Sequence, residues 1–312
     1  MAMQKEKVVV LLSSYNGEKY IEQQIQSILQ QDIDCDLTLV IRDDGSSDNT
    51  VGIIKEKQAH DNRLILLVEK NIGLNRSYFE LLKYAHDNFP GCRYFALSDQ
   101  DDVWDPEKIQ VGVNKIREIG NQPALYGSAS RPVDQNLNPL ESKRKILRPI
   151  TFYNSIIQNF IAGHTFVFNH ELLDLVYKAD ATRMHGHDSF ILNVALLSGT
   201  LVYDENSYVN YRQHSNNQLG TANRGIISWI AERLKRIKKG DAVQYGRQIE
   251  YIDEYCANMM TVEQKEEVDN MLQSRKSFVT RLGYVFTRKV YRQERFDDFA
   301  FCLLYLMGGY NT

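Results

Sequence analysis

Apolar and polar positions follow two different periods along the first hundred residues. Val8-Val9-Val10-Leu11-Leu12 is an unbroken apolar run, the pattern of a strand buried on both faces of a parallel sheet. Ile21, Ile25, Ile28 and Leu29 then recur at helical spacing. The alternation repeats with a strand over Leu37 to Ile41 and a helical face begun by Val51 and Ile54. A strand over Leu64 to Val68 comes next, then a helical stripe of Tyr78, Leu81, Leu82 and Ala85, then a strand over Tyr94 to Leu97. Strand alternating with helix four times predicts a three-layer α/β fold with a mostly parallel central sheet.

Further along, Asp105 and Pro106 read as the N-cap and first position of a helix whose inner face is Ile109, Val113 and Ile116. Ala124 to Gly127 predicts a strand, and Phe160 to Phe168 a loop entering one. His185-Gly186-His187-Asp188 opens a helix carrying Phe190, Ile191, Val194 and Leu197, and Leu201 to Tyr203 and Tyr208 to Arg212 read as two strands. From Gly225 the character changes. Ile226, Ile227, Trp229, Ile230, Leu234 and Ile237 interleave with Arg233, Lys235, Arg236, Lys238 and Lys239, the composition either of an interfacial amphipathic helix or of a helix packed on the rest of the chain. The helical tail ends in Phe299 to Met307, too short to cross a bilayer and suited to docking. The expected division is 1–222 and 223–312.

Composition narrows the class. With 312 residues, 43% of them hydrophobic, the chain has ample material for a packed core. A net charge of −3 supplies no basic field for nucleic acid. Cys35, Cys92, Cys256 and Cys302 lie far apart, which suggests neither a zinc knuckle nor a disulfide framework and fits a reducing cytosol. The charged start, Met1 to Lys7, runs straight into a strand and leaves no room for a signal peptide. No run approaches the ~20 apolar residues of a membrane span, so the expectation is a cytoplasmic chain, at most peripheral on the inner face of the membrane.

Candidate chemistry gathers where the strands stop. Ligands of open α/β sheets bind beyond the carboxyl ends of the strands, so Ser14, Asp44, Asn71 and Asp99 are expected to line one crevice. The central stretch is Ser98-Asp99-Gln100-Asp101-Asp102-Val103-Trp104. If the chain stays extended there, Asp99 and Asp101 point the same way and offer hard oxygens to Mg²⁺ or Mn²⁺; the plainer reading is turn material in which Asp bonds its own backbone. No G-x-G-x-x-G or G-x-x-x-x-G-K-[ST] cradle is present. A carboxylate such as Asp44 can instead accept the N3–H of uracil or thymine while a metal carries the phosphates. His214 is either a further metal ligand or a surface residue, and Arg212 either a phosphate fork or a surface residue. His164, among aromatics, reads as an acceptor contact or a satisfied core residue. Asp188 is a helix N-terminal carboxylate, hence a cap or a base. Lys143-Arg144-Lys145 reads as a solvated loop or a grip on an anionic acceptor or membrane headgroup.

Four ordered segments carry a resemblance: Ser14 to Glu18, Arg42 to Asp48, Asn71-Ile72-Gly73 and Ser98 to Trp104. Together they resemble family 2 glycosyltransferases of the GT-A fold, and Tyr211 to Asn217 is similar to bacterial rhamnosyltransferases of rhamnose-containing cell-wall polysaccharide synthesis. The resemblance covers about the first two-thirds of the chain. It implies a GT-A domain over 1–222, with a nucleotide-sugar half near 1–105 and an acceptor half near 106–222, followed by the helical extension 223–312. It further implies an inverting, metal-dependent hexosyltransferase using a nucleotide-diphospho sugar, with dTDP-rhamnose favoured and a glycan or lipid-linked glycan as acceptor. In that reading Ser14, Tyr15, Glu18, Asp44, Asn71, Asp99 and Arg212 bind the nucleotide sugar, Asp101 and His214 hold Mg²⁺ or Mn²⁺, and Asp188 is the general base. The rivals are another donor such as a UDP-sugar, an aspartyl-phosphate phosphatase, and a catalytically silent nucleotide-sugar-binding module. Asp102-Val103 after the motif, where a phosphatase usually carries a Thr, argues against the second.

Overall fold

The apolar run at the start becomes the middle of a sheet. In the computed structural model, which describes residues 5–141, 145–213 and 241–311, β1 (Lys7–Ser14) lies between β2 (Asp36–Asp43) and β4 (Tyr94–Ser98), parallel to both. β3 (Leu64–Val68) extends the parallel set beyond β2. The helices between them are α1 (Ile21–Leu29), α2 (Thr50–His60) and α3 (Leu74–Asn88). Because alternate residues of a strand face opposite ways, Val8, Val10, Leu12, Leu39 and Ile41 pack with Ile21, Ile25 and Ile28 of α1. On α3, Tyr78, Leu81, Leu82 and Ala85 form a buried stripe against β1. Val8 to Leu12 are all at most 1% exposed, which is why that run carries no polar side chain.

The remaining strands are β5 (Val103–Trp104), β6 (Ala124–Val133), β7 (Val167–Asn169) and β8 (Thr200–Arg212), giving the order β3-β2-β1-β4-β7-β6-β8-β5. β7 is antiparallel to β4 and β6, and β5 to β8. The expected strands 201–203 and 208–212 are one strand with irregular register against β6. The helix expected to begin at Asp105 begins at Lys108 instead (α4, Lys108–Arg117), with Glu107 as N-cap. Asp105 is drawn elsewhere, because Arg131 donates to its carboxylate at 2.6 Å.

The chain folds as two compact units: 1–142, 161–179 and 199–221 in the first, and 143–160, 180–198 and 222–312 in the second. The sheet, α1 to α4 and α6 (His170–Val176) belong to the first. The second contains α5 (Phe152–Ser155), α7 (His187–Ser198), α8 (Asp241–Tyr255), α9 (Val262–Ser274), α10 (Phe278–Thr287) and α11 (Arg295–Leu306). The expected division keeps 143–160 and 180–198 with the sheet; they are not grouped with it here. Side-chain bonds show why they are not: Ser155 donates to Asn193 at 2.7 Å, and Gln248 of α8 donates to Ser189 at 2.8 Å. The basic run at 143–144, His214 and the segment around Trp229 lie outside the described residues. Among the described residues, no helix is long and apolar enough to cross a membrane, and all four cysteines are free thiols.

Candidate active site

The loop after β2 is built on two buried carboxylates. Asp43 accepts from the Ser14 hydroxyl at 2.9 Å and from the backbone and side chain of Ser46 at 2.8 and 2.6 Å. Asp44 accepts from Arg42 Nη1 at 2.5 Å and from the backbone N–H groups of Ile72 and Gly73 at 2.9 and 2.8 Å. These bonds join the ends of β1, β2 and β3. Gly45 completes the turn at φ +78, and a side chain there would meet the backbone nitrogen of Asn71 at 2.9 Å. Glu18 accepts from the backbone N–H of Asn49 at 2.9 Å, and Tyr15, half exposed, is tied through its backbone to the Gln100 amide at 2.8 and 3.1 Å. Ser14, Asp44 and Asn71 thus stand together at the ends of β1, β2 and β3.

The loop after β4 differs. Asp99 is half-buried: its carboxylate accepts from the Tyr78 hydroxyl at 3.0 Å, and its other oxygen lies 3.3 Å from His164 Nδ1. His164 comes from the single 3₁₀ turn before β7 and stacks on Tyr211 of β8, ring centroids 4.8 Å apart. Its Nδ1 is also 3.7 Å from a carboxylate oxygen of the fully buried Asp102. Asp99, Asp102 and His164 therefore bring ligand-type atoms to within 4.8 Å of one another. Asp102 Oδ2 and His164 Nε2 are buried with no hydrogen-bond partner. Burial first, then the charges of Asp99 and Asp101, pushes the Asp102 carboxyl up to about 8 against the opposing pull of His164. Burial works to keep His164 neutral, but the Asp102 and Asp99 carboxylates outweigh it and raise its pKa. Lys108 of α4 is fully buried beside this cluster, its ammonium 3.4 Å from the centroid of the Trp104 ring; burial holds its pKa well below the usual value against the pull of Asp102.

Two expectations change. The Arg212 guanidinium is buried and donates to the Asp101 carbonyl at 2.9 Å, the Gln23 amide oxygen at 2.7 Å and the Gln135 carbonyl, while lying over the Tyr20 ring. Its geometry is that of a fastener for the acidic loop, because carbonyl oxygens supply the acceptors that a phosphate was expected to provide. Asp101 is half-buried at the same loop; among the described residues the cluster of ligand-type atoms is formed by Asp99, Asp102 and His164. Asp102 points inward because the chain does not stay extended past β4: it bends and resumes as β5, pairing with β8. Asp102, the third acid of the run, was therefore passed over, and His164 was read only as a contact or core residue. The available signal was a lone imidazole in the apolar stretch 160–168.

In the second unit, Asp188 stands in the first turn of α7, half exposed. Asn159 donates to one carboxylate oxygen at 2.6 Å, and the backbone N–H of Ser189 to the other at 2.7 Å.

The family model described as Glycosyl transferase family 2 matches residues 9–175, the stretch that builds both rim loops and the His164 turn. The chain belongs to this family. Among its curated relatives, the dTDP-rhamnosyl transferase RfbG of Shigella flexneri is 30% identical over 223 residues, 67% of this chain and 73% of that protein. Among solved structures, residues 1–349 of Staphylococcus aureus TarS superpose with a TM-score of 0.53 at 17% identity, covering 86% of this chain and 79% of that one. The mannosyltransferase PcManGT of Pyrobaculum calidifontis, solved with GDP-Man and Mn²⁺, gives 0.53 at 14% identity over 98% and 86%. These likenesses agree with the family 2 assignment and with a GT-A fold, here a mixed α/β sheet with C-terminal helices.

Proposed function

We propose that this family 2 glycosyltransferase moves L-rhamnose from dTDP-rhamnose, with inversion, onto a growing lipid-linked cell-surface polysaccharide at the inner face of the membrane. The observation that carries the donor assignment is the 30% identity, over 223 residues, to a dTDP-rhamnosyl transferase. A thymine fits the rim chemically. Asp44 retains carboxylate lone pairs beyond the three bonds it accepts, so it can take the ring N3–H while its existing partners hold it in place.

A divalent ion fits the second loop. Two carboxylates and an imidazole suit Mn²⁺ better than Mg²⁺, and the orphaned buried atoms of Asp102 and His164 are of the kind a cation would satisfy. Asp99, Asp102 and His164 would hold it, with Asp101 and His214 as the further expected ligands. When bound, the ion supplies positive charge for the leaving diphosphate. The protein's own residues do the rest. Tyr78 fixes the Asp99 carboxylate and Arg212 fixes the backbone of Asp101. Asp188, oriented by Asn159, takes the proton of the acceptor hydroxyl as that oxygen attacks the anomeric carbon.

Nucleoside diphosphate release from dTDP-rhamnose, UDP-glucose and GDP-mannose tests the donor. Fastest release from dTDP-rhamnose is expected; turnover of a UDP-sugar alone would replace the rhamnosyl reading. Asp188→Asn should lower turnover on the order of a hundredfold with donor affinity nearly unchanged. Lost donor binding with turnover kept at saturation would move the base elsewhere, first to His187.

A further inference from the structure

The last two helices of the second unit turn apolar faces in two directions. On α10, Tyr284 is buried, whereas Phe278, Leu282 and Phe286, spaced four apart on the opposite side, are exposed, Phe286 at 82%. On α11, Phe301 and Tyr305 are buried, whereas Phe296, Phe299, Leu303 and Met307 line the outer side, Met307 at 79%. A helix needs one such stripe to join a core. Two neighbouring helices with a second, aromatic-rich outer stripe form a surface that water alone does not favour.

The charges choose the occupant. Residues 275–298 carry seven Lys/Arg against three Asp/Glu, although the whole chain is at −3. Exposed Lys276 and Lys289 flank α10 at its two ends, and Arg281 gives its guanidinium to the backbone carbonyls of Leu306 and Arg275. Lys289 is balanced by Glu263 at 2.6 Å, and Arg288 by Asp298 at 2.9 Å, so the excess rests on Lys276, Arg281 and Arg295. An anionic lipid surface meets both requirements at once: acyl chains for the aromatic stripes and headgroups for the basic flank.

We infer that the outer faces of α10 and α11 are a lipid-docking surface for an anionic bilayer. The inference deepens the proposed action on a lipid-linked acceptor and rests on that reading for its purpose, but its test uses no sugar. The full chain is sedimented with vesicles of phosphatidylcholine containing about one-third phosphatidylglycerol, at low and at ~0.5 M salt. Wild type should bind, and more weakly at high salt. F286E/F299E should lose about tenfold or more in partitioning while keeping the wild-type circular dichroism, melting midpoint and donor turnover. F278E/M307E is an independent pair should the first fold poorly. Both variants retain residues 225–239, so the difference reports α10 and α11 alone. Absence of wild-type binding, or binding equal in wild type and both variants, overturns the inference. So does light scattering that finds a wild-type dimer which F286E/F299E converts to monomers, since the face would then join two copies of the chain. Failure of the donor panel would leave the vesicle result standing.

Discussion

The two loops at the sheet rim use the same residue types to opposite ends. After β2, the carboxylates of Asp43 and Asp44 are buried, and their six bonds go to hydroxyls, backbone N–H groups and one guanidinium. After β4, Asp102 and His164 are as deeply buried but keep orphaned atoms, and the Lys108 nitrogen nearby, over the Trp104 ring, has no hydrogen-bond partner. An orphaned buried polar group costs about 1–3 kcal/mol. The first loop is therefore finished by folding alone, whereas the second keeps a cost that a bound cation can offset. Buried acids at one rim can be fully bonded by the fold or left with open atoms, and the count of their bonds tells which.

Substituting one acid in each loop should separate these roles. Asp102→Asn should lower transfer on the order of a hundredfold and abolish Mn²⁺ binding by calorimetry, yet leave the melting midpoint unchanged or higher, because Asn keeps the shape of the side chain and can place no charge in the buried site. A drop in stability with transfer retained would erase the contrast. Asp44→Asn should act the other way, costing about 1–3 kcal/mol in urea unfolding as the bonds to Arg42, Ile72 and Gly73 weaken. Unchanged stability there would mean the first loop is not held by its carboxylates.

The smallest effect is in pH. The folded-state pKa of Asp102 is raised from 3.8 to about 8, so the contribution of its protonated form is complete below about 4 and is lost as pH climbs toward 8. The raised His164 pKa has the same sign, its contribution being lost as pH rises through the folded value. The urea midpoint of wild type should fall between about pH 6 and 8, and the same curve for Asp102→Asn should be flatter. Parallel curves would show that Asp102 is ionised in the fold throughout that range.

What the sequence disclosed follows from the range of the interactions. Val8 to Leu12 announces a doubly buried strand because burial on both faces is written into consecutive residues. The meeting of Ser14, Asp44 and Asn71 follows from topology, since parallel strands place their carboxyl ends on one rim. The Asp102–His164 approach was not legible, for it depends on a bend after β4 and on an antiparallel β7 that brings residue 164 back beside residue 99. Asp105 shows the same limit: a good capping residue by type, it is taken by an arginine 26 positions away. The base assignment of Asp188 stays a reading of the resemblance, since a carboxylate in a first helical turn looks the same whether it caps or catalyses.

Arg212 has a consequence for the order in which the molecule is made. Its guanidinium joins an amide 189 positions earlier in the chain and a carbonyl 111 positions earlier. Closing such long loops is slow compared with forming local turns, and synthesis proceeds from the N-terminus. A nascent chain can thus complete the Asp43–Asp44 loop once β3 is present, while the acidic loop after β4 must wait for the end of β8 before it is fastened. The loop after β2 would mature well before the loop after β4, and a chain stalled short of residue 212 would carry the acidic motif without its clamp.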